Sequence, residues 1–142
     1  MLFPSTAEYA LRAMVTLAAQ PAGESLTASD LAERTQVPLA YLSKVLRQLV
    51  SAELLRGRRG HHGGFQLTRP PAEITFGQVL TAVGFQPPAN RCAMGWGACS
   101  PGLPCPLHDA WSSMDSAYQS WARCTTLASA LQKGSFARAP EP

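Results

Sequence analysis

Ala10, Ala13, Met14, Leu17 and Ala18 recur at intervals of three and four near the start of the chain, which puts apolar side chains on one face of a helix. Ser5 and Glu8 precede them with the spacing of a capping box, and Pro21 with Gly23 ends the pattern. Thr27 and Asp30 are placed to cap a second, short helix, with Leu31 and Ala32 pointing inward. Thr35-Gln36-Val37 reads as a tight turn, and Pro38 suits the first turn of a third helix. There Leu39, Leu42, Leu46 and Leu49 form the apolar stripe, and Ala40, Ser43, Lys44, Arg47 and Ser51 lie on the other side. Two short helices about a tight turn, the second polar and basic outward, predict a helix-turn-helix.

Leu54–Arg56 and Phe65–Leu67 then read as two short strands around a glycine-rich basic loop that includes Arg58, Arg59, His61 and His62. Such a hairpin is a wing. Thr75 and Gln78 cap a fourth helix carrying Phe76, Val79, Leu80 and Val83 on one face. Residues 84–105 lack periodicity and are rich in Gly and Pro, so they are expected to be a loop. From 106 to 133 the pattern predicts one long helix. Leu107, Trp111, Met114, Tyr118, Trp121, Thr125 and Ala128 alternate in steps of four and three, the seam of a helix that pairs with another. Such a helix, ~40 Å long, outreaches one small domain, and its tryptophans call for burial against a partner's copy. The expected fold is therefore mostly α with a small β-hairpin. It comprises a winged helix-turn-helix over 1–83, a ligand-bearing loop over 84–105, a dimerisation helix over 106–133 and a disordered tail over 134–142.

Charge sharpens this picture. The chain of 142 residues carries a net charge of only +3. Yet Lys44, Arg47, Arg56, Arg58, Arg59 and Arg69 face a single acid, Glu53, between positions 44 and 69. A basic surplus on a recognition helix and a wing suits the phosphates of double-stranded DNA. Tyr41, Ser43, Lys44 and Arg47 are the candidate recognition-helix contacts, Arg58 and Arg59 the wing's, with His61 and His62 at its tip. No apolar run approaches the ~18 residues of a membrane span, and Glu8 and Arg12 break up any signal-peptide core. A cytoplasmic protein without membrane contact is expected, and there clustered cysteines bind metal more readily than they form disulfides.

Cys92, Cys99 and Cys105, followed by His108, supply that cluster, with intervals of six and five residues between the cysteines. Thiolates and an imidazole are soft ligands, and Gly95, Gly97 and Gly102 let the loop turn sharply and aim N–H groups at sulfur. Structural zinc is the competing occupant, although zinc sites favour intervals of two to four. Cys124 lies in the helical stripe as an apolar filler.

Taken in order, Glu8–Ala13, Pro38–Lys44, the Arg59…Gly63-Gly64-Phe65 wing, Thr75 and the three-cysteine loop resemble a bacterial winged-helix regulator family. That family includes the iron–sulfur regulator IscR, the nitric-oxide sensor NsrR and the cysteine-metabolism regulator CymR. The resemblance covers nearly the whole chain. It implies a homodimer with crossing C-terminal helices (Leu107, Trp111, Met114, Tyr118 and Trp121 here). It also implies an iron–sulfur cluster that governs operator binding in response to redox state, nitric oxide or cluster supply. The Cys105–Trp111 segment is most like the IscR branch, which implies a 2Fe-2S cluster on Cys92, Cys99, Cys105 and His108; the Cys92–Cys99 interval is one residue longer than that branch uses. The nitric-oxide-sensing branch implies instead a 4Fe-4S cluster completed by Glu8 of the partner subunit. Beside this reading of a regulator, not an enzyme, stand a winged helix with structural zinc, one governed by a protein partner, and an electron carrier.

Overall fold

The computed structural model describes residues 3–86 and 91–133. Its elements are α1 (Ser5–Ala18), α2 (Ala28–Thr35), α3 (Leu39–Ser51), β1 (Leu55–Arg58), β2 (Gly64–Leu67), a single 3-10 turn at Pro71–Glu73, α4 (Phe76–Ala82), α5 (His108–Cys124) and α6 (Leu127–Lys133). The expected tail, 134–142, and positions 87–90 of the expected loop lie outside the described residues.

Helix α1 packs against α2, α3, α4 and α6. Its inward face is small, with Ala7, Ala10 and Ala13 buried beside Met14 and Leu17, which lets neighbouring helices approach closely. Around it the core is built from Leu31, Leu42, Leu46, Leu49, Leu55, Ile74, Val79, Leu80 and Leu127, all fully buried. The anticipated capping box at Ser5 and Glu8 is not formed. Pro4 takes the N-cap position with no side-chain cap bond, its carbonyl accepts from the Ala7 and Glu8 amides, and Ser5 becomes the first helical residue. The boxes at Thr27–Asp30 and Thr75–Gln78 are both present.

Between α2 and α3 the chain turns through Gln36, which adopts a left-handed conformation at φ 55°. Buried Val37 anchors that turn. The stripe of α3 is Leu42, Val45, Leu46 and Leu49, whereas Leu39 is 46% exposed. It has the right phase, but it opens the helix and lies beyond the edge of the core.

β1 and β2 pair antiparallel, with Leu55 opposite Leu67 and Arg58 opposite Gly64. Leu26 extends the ladder, exchanging backbone bonds with Phe65 at 2.7 and 3.1 Å. Two of the four wing glycines, Gly63 and Gly64, are sterically required. A Cβ at Gly63 would lie 2.5 Å from the Arg58 carbonyl, and one at Gly64 2.5 Å from that of Leu26.

The single long helix expected over 106–133 is two helices. It starts at His108 and breaks at Thr125, whose backbone is extended. There Phe76 N–H donates to Thr125 O (2.9 Å) and Leu127 N–H to Ile74 O (3.0 Å), so the break is stitched to the start of α4. Thr126 and Ser129 exchange backbone-to-side-chain bonds at the head of α6, a new cap. One further expectation is corrected. Cys124 is exposed instead of filling a stripe. Tyr118 and Trp121, expected against a partner, pack on their own chain, Trp121 stacking on Phe3 at 5.8 Å and meeting Phe76 edge-on at 5.5 Å. Leu107 and Met114 of the expected seam are exposed, and Trp111 is half-buried.

Candidate metal centre and nucleic-acid interface

The cysteine loop is a small folded unit. Arg91 and Ala98 bridge its two sides, Cys92 N–H donates to Gly97 O at 3.0 Å, and Gly95 and Gly97 turn the chain at φ 75° and 94°. The Trp111 indole N–H donates to Arg91 O at 2.7 Å and ties the near end of this unit to α5. At its far end, His108 N–H donates to Cys105 O at 2.9 Å, so the last cysteine leads directly into the helix.

One pair of donor side chains is in contact: Cys99 Sγ stands 3.2 Å from His108 Nδ1, and Cys92 and Cys105 lie close enough to act on Cys99 through their charges. Among the described residues no group of three or more His, Cys, Asp or Glu side chains is arranged to hold a single metal ion. All three cysteines and His108 are half-buried. The backbone N–H of Met94, followed by the amides of Trp96 and Gly95 and the Cys105 thiol, pulls the Cys92 thiol below its ordinary range against the opposing effect of burial. Burial first, then the charges of Cys92, Cys105 and Asp115, push Cys99 up. Cys92 is therefore the thiolate at lower pH. Iodoacetamide footprinting from about pH 6 to 9, near the ordinary thiol range, is expected to label Cys92 before Cys99; simultaneous labelling would contradict this loop geometry.

Sequence reasoning passed over two residues here. Asp115 lies two turns along α5 from His108, on the same face and close enough to act on Cys99. The interval of seven was its only signal. Arg91 takes part through its carbonyl, which no side-chain pattern reveals. Glu8, the alternative ligand, is half-buried in the first turn of α1 and free of the capping role expected of it.

Tyr41 (64% exposed), Lys44 and Arg47 project from α3, and Arg58 and Arg59 from the wing. Ser43 is half-buried and donates its hydroxyl to Leu39 O at 2.8 Å, which leaves its lone pairs as the outward feature. Arg56 is engaged with Gln66, whose amide, in the orientation that satisfies both its ends, accepts from that guanidinium and donates to Gly23 O. His61 and His62 are exposed at the wing tip, where Ser25 Oγ donates to the His62 carbonyl at 3.1 Å.

A helix-turn-helix with an outward basic helix, followed by a glycine-built wing, defines a winged-helix DNA-binding protein. The chain belongs to the Rrf2 family of iron-dependent transcriptional regulators, whose family model matches residues 3–133. It is similar to the HTH-type transcriptional regulator IscR of Aliivibrio salmonicida, with 31% identity over 121 residues spanning 85% of this chain and 71% of that protein. It is 35% identical over 129 residues to a protein of Mycobacterium tuberculosis assigned as an HTH-type transcriptional regulator, a match over 90% and 80% of the two chains. The solved structure of CymR, the global cysteine regulator of B. subtilis, superposes with a TM-score of 0.78 at 19% identity, covering 95% of this chain and 99% of that one, and shares its fold. Transcription regulation through DNA binding is thus the activity of this chain's family. No helix among the described residues is long and apolar enough to cross a membrane.

Proposed function

We propose that this chain is a homodimeric, IscR-like transcriptional regulator whose operator affinity follows the state of an iron–sulfur cluster held by Cys92, Cys99, Cys105 and His108. The observation that carries the reading is the 3.2 Å approach of Cys99 to His108, with Cys92 and Cys105 close enough to act on Cys99 through their charges. Intervals of six and five residues between the cysteines favour a cluster, whereas zinc sites favour two to four. Amides aimed at the Cys92 sulfur favour a charged thiolate ligand. Bound there, a 2Fe-2S cluster supplies one-electron redox change and sensitivity to iron loss or nitric oxide.

The chain's own part is transmission. Trp111 fixes the loop to the head of α5, and the Thr125–Phe76 and Leu127–Ile74 bonds fix the tail of α5 to α4, which packs on α3. A rearranged loop therefore has a continuous route to the recognition helix. In a dimer, half-sites about 34 Å apart make affinity sensitive to a small change of pose. A signal moves that equilibrium only by its unequal affinity for the two poses.

Anaerobically purified protein is expected to contain iron and acid-labile sulfide, and Cys92→Ala, Cys99→Ala and Cys105→Ala are each expected to abolish it. A colourless zinc-bound protein would overturn the cluster reading. His108→Ala is expected to leave a labile cluster, and Glu8→Gln a stable one. The reverse result would make Glu8 of the partner subunit the fourth ligand and favour 4Fe-4S.

A further inference from the structure

Between α3, α4 and α5 opens a cleft of about 1150 Å³ that neither the cysteine loop nor the wing uses. Three guanidinium groups line it: Arg47 from α3, Arg69 from the segment after β2, and Arg123 from α5. Among the described residues no carboxylate shares the lining. Phe85 and Tyr118 supply apolar wall, and burial pushes the Tyr118 phenol up, so this side of the cleft is partly dry. The Gln48 amide, also in the lining, has its oxygen fully buried with no hydrogen-bond partner.

We propose that this cleft binds a small organic di- or tricarboxylate, and that the bound anion lowers operator affinity by holding Arg47 away from DNA. Like charges gathered on one concave surface repel until an anion joins them. An arginine fork matches a carboxylate with two parallel hydrogen bonds. A concave site with apolar walls and a few convergent polar groups is the form of a small-molecule pocket, and it strengthens such pairs by excluding water. A duplex backbone, by contrast, fits poorly into a recess walled by three helices. Because Arg47 belongs to both surfaces, one guanidinium links the two ligands. This regulatory half rests on the DNA reading of Arg47; the binding half does not.

Calorimetry of the full chain with L-malate, at ionic strength held constant with chloride and with no DNA present, tests the binding half. Saturable binding at one site per chain is expected, weakened about tenfold by Arg69→Ala and by Arg123→Gln, the scale of one lost charge-assisted hydrogen bond. Unsaturable heats, or full affinity in both variants, would overturn the proposal. Operator titrations test the other half. Arg123→Gln, outside the basic set of α3 and the wing, is expected to bind operator normally in malate-free buffer. Saturating malate is expected to weaken the unsubstituted protein about tenfold, and operator must weaken malate binding by the same factor. If malate binds but operator affinity does not move, the regulatory half fails. If Arg123→Gln instead loses operator affinity without malate and shows a shallower salt dependence, the cleft is a DNA-backbone surface and the proposal falls.

Discussion

Replacing Trp121 with alanine is expected to destabilise each protomer by about 3 kcal/mol, the lower end of the range for buried aromatics because the side chain is half-buried. Its ring stacks on Phe3 with an interplanar angle of 24°, meets Phe76 edge-on at 88° and touches Tyr118 at 5.8 Å. Phe85 closes the group against Phe3 and Tyr118. Each such aromatic pair adds roughly 0.5–1.5 kcal/mol beyond area burial. The group joins the N-terminus, α4 and α5, so its loss loosens the segment that carries the loop's signal. For a domain of this size the Tm is expected to fall by about 10 °C. Calorimetry at two protein concentrations, paired with sedimentation, checks where the energy resides. The same Tm deficit at both concentrations with association retained places it within the chain. Met114→Asp is expected to do the opposite, lowering association and sparing the protomer, because Met114 is 64% exposed on α5. A Trp121→Ala protein of unchanged Tm that sediments as a monomer would return that side chain to the dimer seam.

That contrast shows where sequence periodicity stops being informative. Steps of four and three put Leu107, Trp111, Met114, Tyr118 and Trp121 on one face, yet Tyr118 and Trp121 pack on their own chain while Leu107 and Met114 are exposed; periodicity alone does not say what covers each. The helix-turn-helix was legible because three independent signals agreed: the Thr27–Asp30 cap, the Gln36-Val37 turn and the leucine stripe of α3. The wing was legible because Gly63 and Gly64 stand where a Cβ would collide with backbone. The break at Thr125 was not. Its cause is tertiary, two backbone bonds to Ile74 and Phe76 from a segment some fifty residues earlier, and its only local trace is the Thr126–Ser129 pair. Likewise Ser5-x-x-Glu8 has the letters of a capping box, but Pro4 already supplies the carbonyl that starts the helix. In the candidate metal centre the donors were legible by residue type. The approach of Cys99 to His108 and the action of Asp115 on Cys99 arise from how the loop folds onto α5.

Arg47→Ala is expected to cost ~1–3 kcal/mol of operator binding and to relax specificity at one position in each half-site, the signature of a side chain reading a base edge. Arg47 is exposed on the outward side of α3, one turn beyond Lys44, where a helix lying in the major groove presents it to the bases. Arg58→Ala and Arg59→Ala are expected to behave differently. They stand at the end of β1 and at the start of the glycine-built wing loop, where a guanidinium meets the backbone or the minor groove. Each loss is expected to weaken binding to operator and scrambled duplex alike and to lower the log–log salt slope by about 0.9 per phosphate contact, twice that for a dimer. Phosphate contacts carry no sequence information, so affinity and specificity separate cleanly. Titrating both duplexes with all three variants at four salt concentrations resolves the two signatures. If Arg47→Ala weakened both duplexes equally, Arg47 would be a backbone contact and Tyr41 or Lys44 would be left to read the sequence. If none of the three moved either affinity, the basic faces of α3 and the wing would not be the DNA-binding surface.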